Sequence, residues 1–376
     1  MINTEPRFVP GADSMADLEA KAKRVLPADV YDYVAGGAGD ERTMAANLAG
    51  FGRYRLRPRV LHDVSTVDTS TVILGTVLGA PILGCPTGMG ARIHPDGEGG
   101  KARGLAAAGV GTIVPLGCNV TLEEVAAKAG PARWINLYWH RDREITLDLV
   151  GRAERAEYKA VCLTVDTAMP GNRRRNVRNG FRQSPEDLFA NLMQYGERAL
   201  AQGPQGASML NARDSSIGWK DVEWLKAHTR LPIVVKGIMT AEDARSAIGS
   251  GVDGVMVSNH GGRQLDGLPG TIEVLEEIVD AVAGKAVVLV DGGFRRSIDI
   301  LTALALGASA VGLGRPFVWA MACGGEKTVR DVATDLVMDL QRSMALLGVA
   351  SISSLDRSHI SRAGQYLPDH PDHRPG

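Results

Sequence analysis

Short apolar runs rich in Val, Ile and Leu alternate eight times with longer amphipathic stretches along this chain, and no other feature constrains its fold as strongly. The runs lie at residues 80–84, 111–116, 133–139, 160–166, 232–236, 254–259, 286–291 and 310–314. They are continuously apolar rather than alternating, as expected of parallel strands buried on both faces. Each gives way to a helix-like stretch. At 122–129 and 241–250 the helix is preceded by Thr121 and Thr240 in N-cap position, with acidic residues in the first turn; 99–108 and 272–282 show the same periodicity. Eight strand–helix units in succession favour a closed (β/α)8 barrel over an open sheet, with functional groups at the C-terminal ends of the strands.

A barrel of this kind accommodates residues 1–376 as one domain. Residues 1–79 form an N-terminal helical segment, opening with a helix-like stretch at 15–35 and continuing through a region rich in Arg and Pro. One connection is abnormally long. Residues 167–218 follow the fourth strand with only a weak helical pattern near 188–200, and an excursion of that length on the catalytic face is expected to be a mobile active-site loop. A flexible tail is expected at 368–376, where His370 and His373 read as solvent-exposed rather than as metal ligands.

The formal net charge of −1 gives no global positive field for nucleic acid or anionic lipid. Cys85, Cys118, Cys162 and Cys323 lack metal-ligand spacing and read as free thiols of a reducing compartment. With no leader pattern at the start and no long apolar span, a cytoplasmic, soluble protein is expected.

Polar residues cluster where strands end. The fourth run ends in TVDT, with Thr164 and Asp166; the fifth in VVKG, with Lys236; the sixth in VSNHGGRQLDG, with Ser258, Asn259, His260 and Arg263. The seventh ends in VDGGFRR, with Asp291, Gly293 and Arg295, and the eighth in GLGRP, with Gly314 and Arg315. Either of the last two motifs alone reads equally as a tight turn with a surface arginine; together, at adjacent strand ends, they favour a phosphate site. Most of the chain's histidines read as ordinary loop residues. His260 is set apart by Asp166, which can orient or charge-stabilise an imidazolium, and by Arg263, which can grip a carboxylate by a bidentate fork. Lys236, costly to bury unpaired, is either half of a buried ion pair or a positive charge placed beside something that becomes negative.

With these residues in place the chain resembles the FMN-dependent 2-hydroxy-acid oxidases and dehydrogenases. The resemblance spans about residues 18–347 and rests on VYDYVAGGAGDE, CPTG, NLYW, LTVDT, GNRRRNVRNGF, VVKGI, VSNHGGRQLDG, VDGGFRR and GLGRPFVW in family order. It implies that His260 is the base that accepts a proton as substrate is oxidised and that Asp166 is its partner. Arg263 and Arg173, helped by Tyr33, would hold the substrate carboxylate, with Tyr138 near the reacting hydroxyl. Lys236 would lie near the flavin N1 and O2; Pro86, Thr87 and Gly88 would pass their backbone by N5; Thr164 would bond the ring. Gly293, Arg295, Gly314 and Arg315 would take the FMN phosphate, and Asn136, Ser258 and Asp291 complete the cofactor set. A homotetramer is expected by the same analogy.

Three departures bear on function. Pro115 stands where a flavin-contacting serine is common, Gly117 where glycolate oxidase carries a tryptophan, and Asn136 where a glutamine is usual. Loss of the tryptophan implies a substrate larger than glycolate, aryl or branched. The mixed, polar 167–218 segment lacks the membrane-binding character of membrane-bound mandelate dehydrogenases, and no haem domain precedes the barrel, so oxidation of an (S)-2-hydroxy acid to the 2-oxo acid with O2 as acceptor, yielding H2O2, is expected. A dehydrogenase with another acceptor is the alternative, as is oxidation of an amine or of an intermediate in specialised biosynthesis, for which Pro115 and Asn136 leave room. A non-catalytic FMN-binding scaffold has no physical need of a base with its orienting carboxylate.

Overall fold

The computed structural model of the chain describes residues 8–182, 190–199 and 213–364. The tail at 368–376, with His370 and His373, and parts of the 167–218 connection lie outside the described residues. Eight parallel strands close into a barrel: β1 (Ile82–Gly84), β2 (Gly111–Val114), β3 (Arg133–Leu137), β4 (Val161–Thr164), β5 (Ile233–Ile238), β6 (Gly254–Val257), β7 (Val287–Asp291) and β8 (Ala310–Leu313), with β8 returning to β1. All eight expected strands are present. Most end a residue or two earlier than the apolar pattern does, because Tyr138, Asp166, Ser258, Asn259 and Gly314 leave the ladder to begin loops.

Before the barrel run α1 (Met15–Val25), α2 (Ala28–Ala35) and α3 (Arg42–Ala49). The single helix-like opening expected at 15–35 is thus two helices. Pro27 has no N–H to donate and forces Leu26 into an extended conformation (φ −81°, ψ 143°), which ends α1. Around the barrel pack α4 (Gly97–Ala107), α5 (Leu122–Lys128), α6 (Arg143–Arg155), α7 (Trp219–Ala227), α8 (Ala241–Gly249), α9 (Thr271–Val282), α10 (Ser297–Ala305) and α11 (Arg315–Leu347), the last broken into two helical stretches at Gly324 (φ 158°) and Gly325 (φ 61°). Thr121 and Thr240 cap α5 and α8 as expected, their hydroxyls accepting from the N–H of Glu124 and Asp243. In the long connection the weak helical pattern near 188–200 is not an α-helix in its described part: Met193–Ala199 forms tight 3-10 turns broken at Gly196 (φ 55°, ψ −132°).

Side-chain alternation along the strands builds the site in layers. Leu83, Ile113, Trp134, Cys162, Val234, Met256, Leu289 and Ala310, one from each strand, form an apolar plug inside the barrel. Below it an antiparallel hairpin (Thr71–Ile73 and Thr76–Leu78) seals the bottom with Ile73 and Leu78. Two residues further along each strand come Cys85, Pro115, Asn136, Thr164, Lys236, Ser258, Asp291 and Gly312, all buried, so the interior turns polar within one step. The register agrees, pairing Thr164 with Lys236 and Asp291 with Gly312. Another two residues on, past the ends of most strands, lie Thr87, Gly117, Tyr138, Asp166, His260, Gly293 and Gly314.

Candidate active site

His260 opens the loop after β6 in a left-handed conformation (φ 57°), and Gly261 (φ 64°) and Gly262 (φ 76°) continue it. A left-handed non-glycine residue costs free energy and persists only where its surroundings fix it. Here the His260 N–H donates to Ser258 Oγ at 3.1 Å, and Nδ1 lies 3.0 and 3.2 Å from the two Asp166 oxygens. Gly262 admits no side chain, since a Cβ there would stand 2.7 Å from the Met44 nitrogen. Across the mouth, β5 bulges at Gly237 (φ 118°), where a Cβ would lie 2.7 Å from that of Asp166. The glycine therefore lets β5 approach the carboxylate.

Electrostatics set the protonation states. Burial pushes the Asp166 carboxyl up, but His260 and Lys236 outweigh it and hold the group below the usual carboxylate range. Burial lowers His260, Asp166 pulls it back up, Lys236 pushes it down again, and the result lies below the ordinary histidine value. At neutral pH the pair is a neutral imidazole on an ionised carboxylate. With Nδ1–H donated to Asp166, Nε2 is left as an acceptor, the arrangement of a general base.

Under this dyad lies the polar ring. Lys236 is 3% exposed; its ammonium donates to Ser258 Oγ at 2.8 Å and lies 3.4 Å from Asp291 Oδ2. Burial disfavours the charge, yet Asp291 and Asp166 more than compensate, and Lys236 is held above the usual lysine range. It is a permanent buried cation. Asn136 donates to Thr164 Oγ1 (2.7 Å) and the Cys162 carbonyl (3.2 Å), and its own Oδ1 is buried without a partner, as is Asp291 Oδ1. Buried orphan acceptors are rare unless a bound group meets them.

A second cluster carries uncompensated positive charge. The guanidinium of Arg263 stands 4.8 Å and that of Arg173 5.8 Å from the Tyr33 ring centroid, and Phe181 stacks on the same ring at 4.5 Å. Burial and the Arg173 charge press Arg263 down to about 9. Both arginines hold Tyr33 below the ordinary tyrosine range against its burial. Among the described residues no carboxylate forms an ion pair with Arg173 or Arg263, and their protein partners are carbonyls, Gln264 Oε1 and the Tyr33 side chain. Such a pair is matched to an anion.

The third element lies beyond β7 and β8. Gly293 (φ 87°) packs so tightly under α3 that a Cβ would meet the Asn47 carbonyl at 2.2 Å. Arg295 and Arg315 are both depressed by burial, and Arg295 helps bring Arg315 to about 10. Arg315 opens α11, whose N-terminus adds the positive end of a helix dipole. Its guanidinium also donates to the carbonyls of Val34, Gly261 and Gly36, so it ties α2 to the His260 loop. Gly314 lies against Thr87, with its Cβ position 3.5 Å from Thr87 Cγ2, which joins this end to the turn Pro86–Thr87–Gly88 after β1. Thr87 is held in turn by Lys101, paired with Glu98 at 2.6 Å in the interior. Orphan acceptors over a buried cation, glycines at two strand tips and two depressed arginines fit a flavin mononucleotide, which Asn136, Lys236 and Asp291 would meet at its ring system and ribityl chain and Gly293, Arg295, Gly314 and Arg315 at its phosphate.

Of the residues singled out in the sequence, His260, Asp166, Lys236, Ser258 and Asp291 are linked by direct contacts, as are Asn136 with Thr164 and Arg263 with Arg173 and Tyr33. Tyr138 shares no hydrogen bond with them among the described residues; its ring instead carries the guanidinium of Arg213 at 3.8 Å. Two supporting residues, Asn47 and Gln264, escaped the sequence reading, which named Asn259 without giving it a partner. Asn47 and Asn259 exchange amide hydrogen bonds of 2.8 Å, and Gln264 donates to the Asp166 and Met169 carbonyls, both at 2.9 Å, holding the β4 and β6 loops together. Gln264 lay within the quoted VSNHGGRQLDG motif, beside Arg263; Asn47 had no local signal.

Comparison with known proteins agrees with this geometry. Residues 22–362 match the family model described as FMN-dependent dehydrogenase. The chain is 43% identical to 2-hydroxyacid oxidase 1 of Homo sapiens, over 92% of this chain and 95% of that protein. It is 44% identical to a peroxisomal (S)-2-hydroxy-acid oxidase of Oryza sativa subsp. japonica, over 94% and 97%. Among solved structures it superposes on mandelate oxidase with a TM-score of 0.85 at 40% identity, covering 93% of this chain and 98% of that one, and on mandelate oxidase with benzoyl-formic acid with a TM-score of 0.84. With a family match across nearly the whole barrel and a site shaped for the cofactor, the chain belongs to the FMN-dependent 2-hydroxy-acid oxidase and dehydrogenase family.

Proposed function

We propose that the protein oxidises an (S)-2-hydroxy acid larger than glycolate, mandelate-like or branched, to the 2-oxo acid, with O2 as the final acceptor and H2O2 as the product. The observation that carries this reading is a neutral His260 on ionised Asp166 at the same barrel mouth as Arg173 and Arg263, two cations without counter-charge among the described residues. Arg173 and Arg263 hold the substrate carboxylate, Tyr33 braces them, and Tyr138 orients the hydroxyl. His260 Nε2 takes a proton from the substrate, and Asp166 stabilises the imidazolium that results. Bound FMN supplies the two-electron acceptor. Lys236 offers a fixed positive charge beneath the site, where negative charge gathers when electrons arrive. Gly117 contributes no side chain to the loop after β2, which leaves room for a substituent, and a solved mandelate oxidase variant with (S)-mandelic acid shares 40% of this sequence.

A homotetramer in the cytoplasm belongs to the same proposal. The four cysteines are free and buried, which suits a reducing compartment, and no helix among the described residues is long and apolar enough to cross a membrane. Anaerobic mixing of the purified holoenzyme with 2-hydroxy acids of graded size tests the reaction: bleaching of the flavin fastest with mandelate or a branched acid supports it, and bleaching fastest with glycolate overturns the size assignment. An oxygen electrode then decides the acceptor, since no O2 uptake alongside rapid dye reduction identifies a dehydrogenase.

A further inference from the structure

The last residues of the long connection bring a third arginine to the barrel mouth. Arg213 forms an antiparallel bridge with His140, and the N–H of Asp214 donates to the Trp139 carbonyl at 3.1 Å, so the backbone is fixed just past the end of β3. From there the guanidinium reaches back over Tyr138 and stacks at 3.8 Å from its ring centroid. That stack occupies one face of the guanidinium. Its N–H donors lie in the guanidinium plane, and among the described residues none meets a hydrogen-bond acceptor or a carboxylate. A half-buried, stacked guanidinium whose edges meet no partner among the described residues is a fork suited to a carboxylate.

The mouth therefore holds two separate cationic groups. Arg173 and Arg263 gather around Tyr33, where α2 meets the loops after β4 and β6. Arg213 sits on Tyr138 at the tip of β3, and β3 is the neighbour of β2, whose loop carries Gly117. If the first pair takes the carboxylate beside the reacting carbon, the substituent lies toward Tyr138, where the missing side chain at Gly117 leaves space and Arg213 supplies charge. We propose that Arg213 forms a distal subsite selecting 2-hydroxy acids whose substituent ends in a second carboxylate. This rests on the oxidation and on the size of substituent proposed above, but replaces the aryl or branched group by a carboxylate-bearing chain; a wild-type enzyme fastest with mandelate or 2-hydroxyisocaproate would leave the reaction standing and overturn the subsite.

The test compares kcat/KM for anaerobic flavin reduction by (S)-2-hydroxyglutarate and (S)-malate with that for (S)-2-hydroxyisocaproate, in the wild-type holoenzyme and in Arg213→Gln and Arg213→Lys. Removing a charged hydrogen-bonding partner is expected to cost the diacids roughly 10- to 100-fold, mostly in KM, and the neutral acid less than about 3-fold. Lysine, which keeps the charge but not the fork, should fall between. Tightness of 2-oxoglutarate relative to 2-oxoisocaproate, followed by perturbation of the flavin spectrum, should fall in parallel. Equal losses for diacids and neutral acid in Arg213→Gln would show a merely structural role and overturn the subsite, as would a wild-type enzyme that prefers the neutral acid with a ratio the substitution leaves unchanged. A wild-type flavin that no 2-hydroxy acid of either kind reduces would instead overturn the underlying reaction.

Discussion

Replacing Asp166 by Asn keeps the shape of the dyad and removes its charge. In the resting protein His260 is neutral, so little is lost; the cost arises when the imidazole takes a proton next to a partner that no longer attracts it. The nearest nitrogen–oxygen distance is 3.0 Å, and the two side chains are only 19% and 12% exposed. For charge centres about 4 Å apart at an effective dielectric constant of about 20, the attraction is about 4 kcal/mol. Lost in the transition state alone, that is a roughly thousand-fold fall in the rate of proton abstraction. Stopped-flow absorbance of the anaerobic holoenzyme reads it as the rate of flavin bleaching at saturating substrate. Binding of a 2-oxo acid should be nearly unchanged, because Arg173, Arg263 and Tyr33 are untouched. A bleaching rate within about 3-fold of wild type would refute the assignment of Asp166 as the partner of the base.

Three further outcomes follow from the same geometry. Because His260 is depressed below its ordinary value of about 6.5, activity should rise with pH through an apparent pKa below that figure; Asp166→Asn removes the group that raises it, so the acid limb of kcat/KM should move to still lower pH, and a limb above the ordinary value would contradict the assignment. Lys236→Met leaves Asp291 in the barrel without its ammonium and should destabilise the protein by about 3–5 kcal/mol in denaturant melts, with Lys236→Met/Asp291→Asn recovering part of the loss, so additive effects would show the pair is not coupled. Gly293→Ala must both displace the Asn47 carbonyl and hold a left-handed backbone at a cost of at least about 1–3 kcal/mol, and should weaken FMN binding; Gly284→Ala, with φ 72° and nothing within 4 Å, is the control that carries only the backbone term, and equal melting temperatures for the two would contradict the packing argument.

Much of the barrel was legible because parallel strands buried on both faces must be apolar throughout, and the eight runs say so directly. The layering of the site was legible in principle from the same runs. Counting two residues on from the plug residues reaches Lys236, Ser258 and Asp291, and two more reach Tyr138, Asp166 and His260, which is why polar residues at strand ends were informative. What escaped notice depends on contacts between distant segments. The Asn47–Asn259 exchange joins positions 212 residues apart, and neither asparagine has a local pattern that demands the other. The attachment of Arg263 and Arg315 to the carbonyls that end α2 likewise needs the N-terminal segment folded back onto the barrel. Pro27 was the visible signal that the opening helix must break, whereas Gly196 in the long connection gave only a weak hint against a helix there.

Everything proposed for the chemistry depends on His260 Nε2 being the atom that receives the substrate proton. The most direct measurement is anaerobic bleaching of FMN-loaded His260→Asn by a 2-hydroxy acid that reduces the wild type. The expected result is a yellow protein that still binds the corresponding 2-oxo acid but reduces its flavin at least roughly 100-fold more slowly; bleaching of that variant at close to the wild-type rate would contradict the assignment.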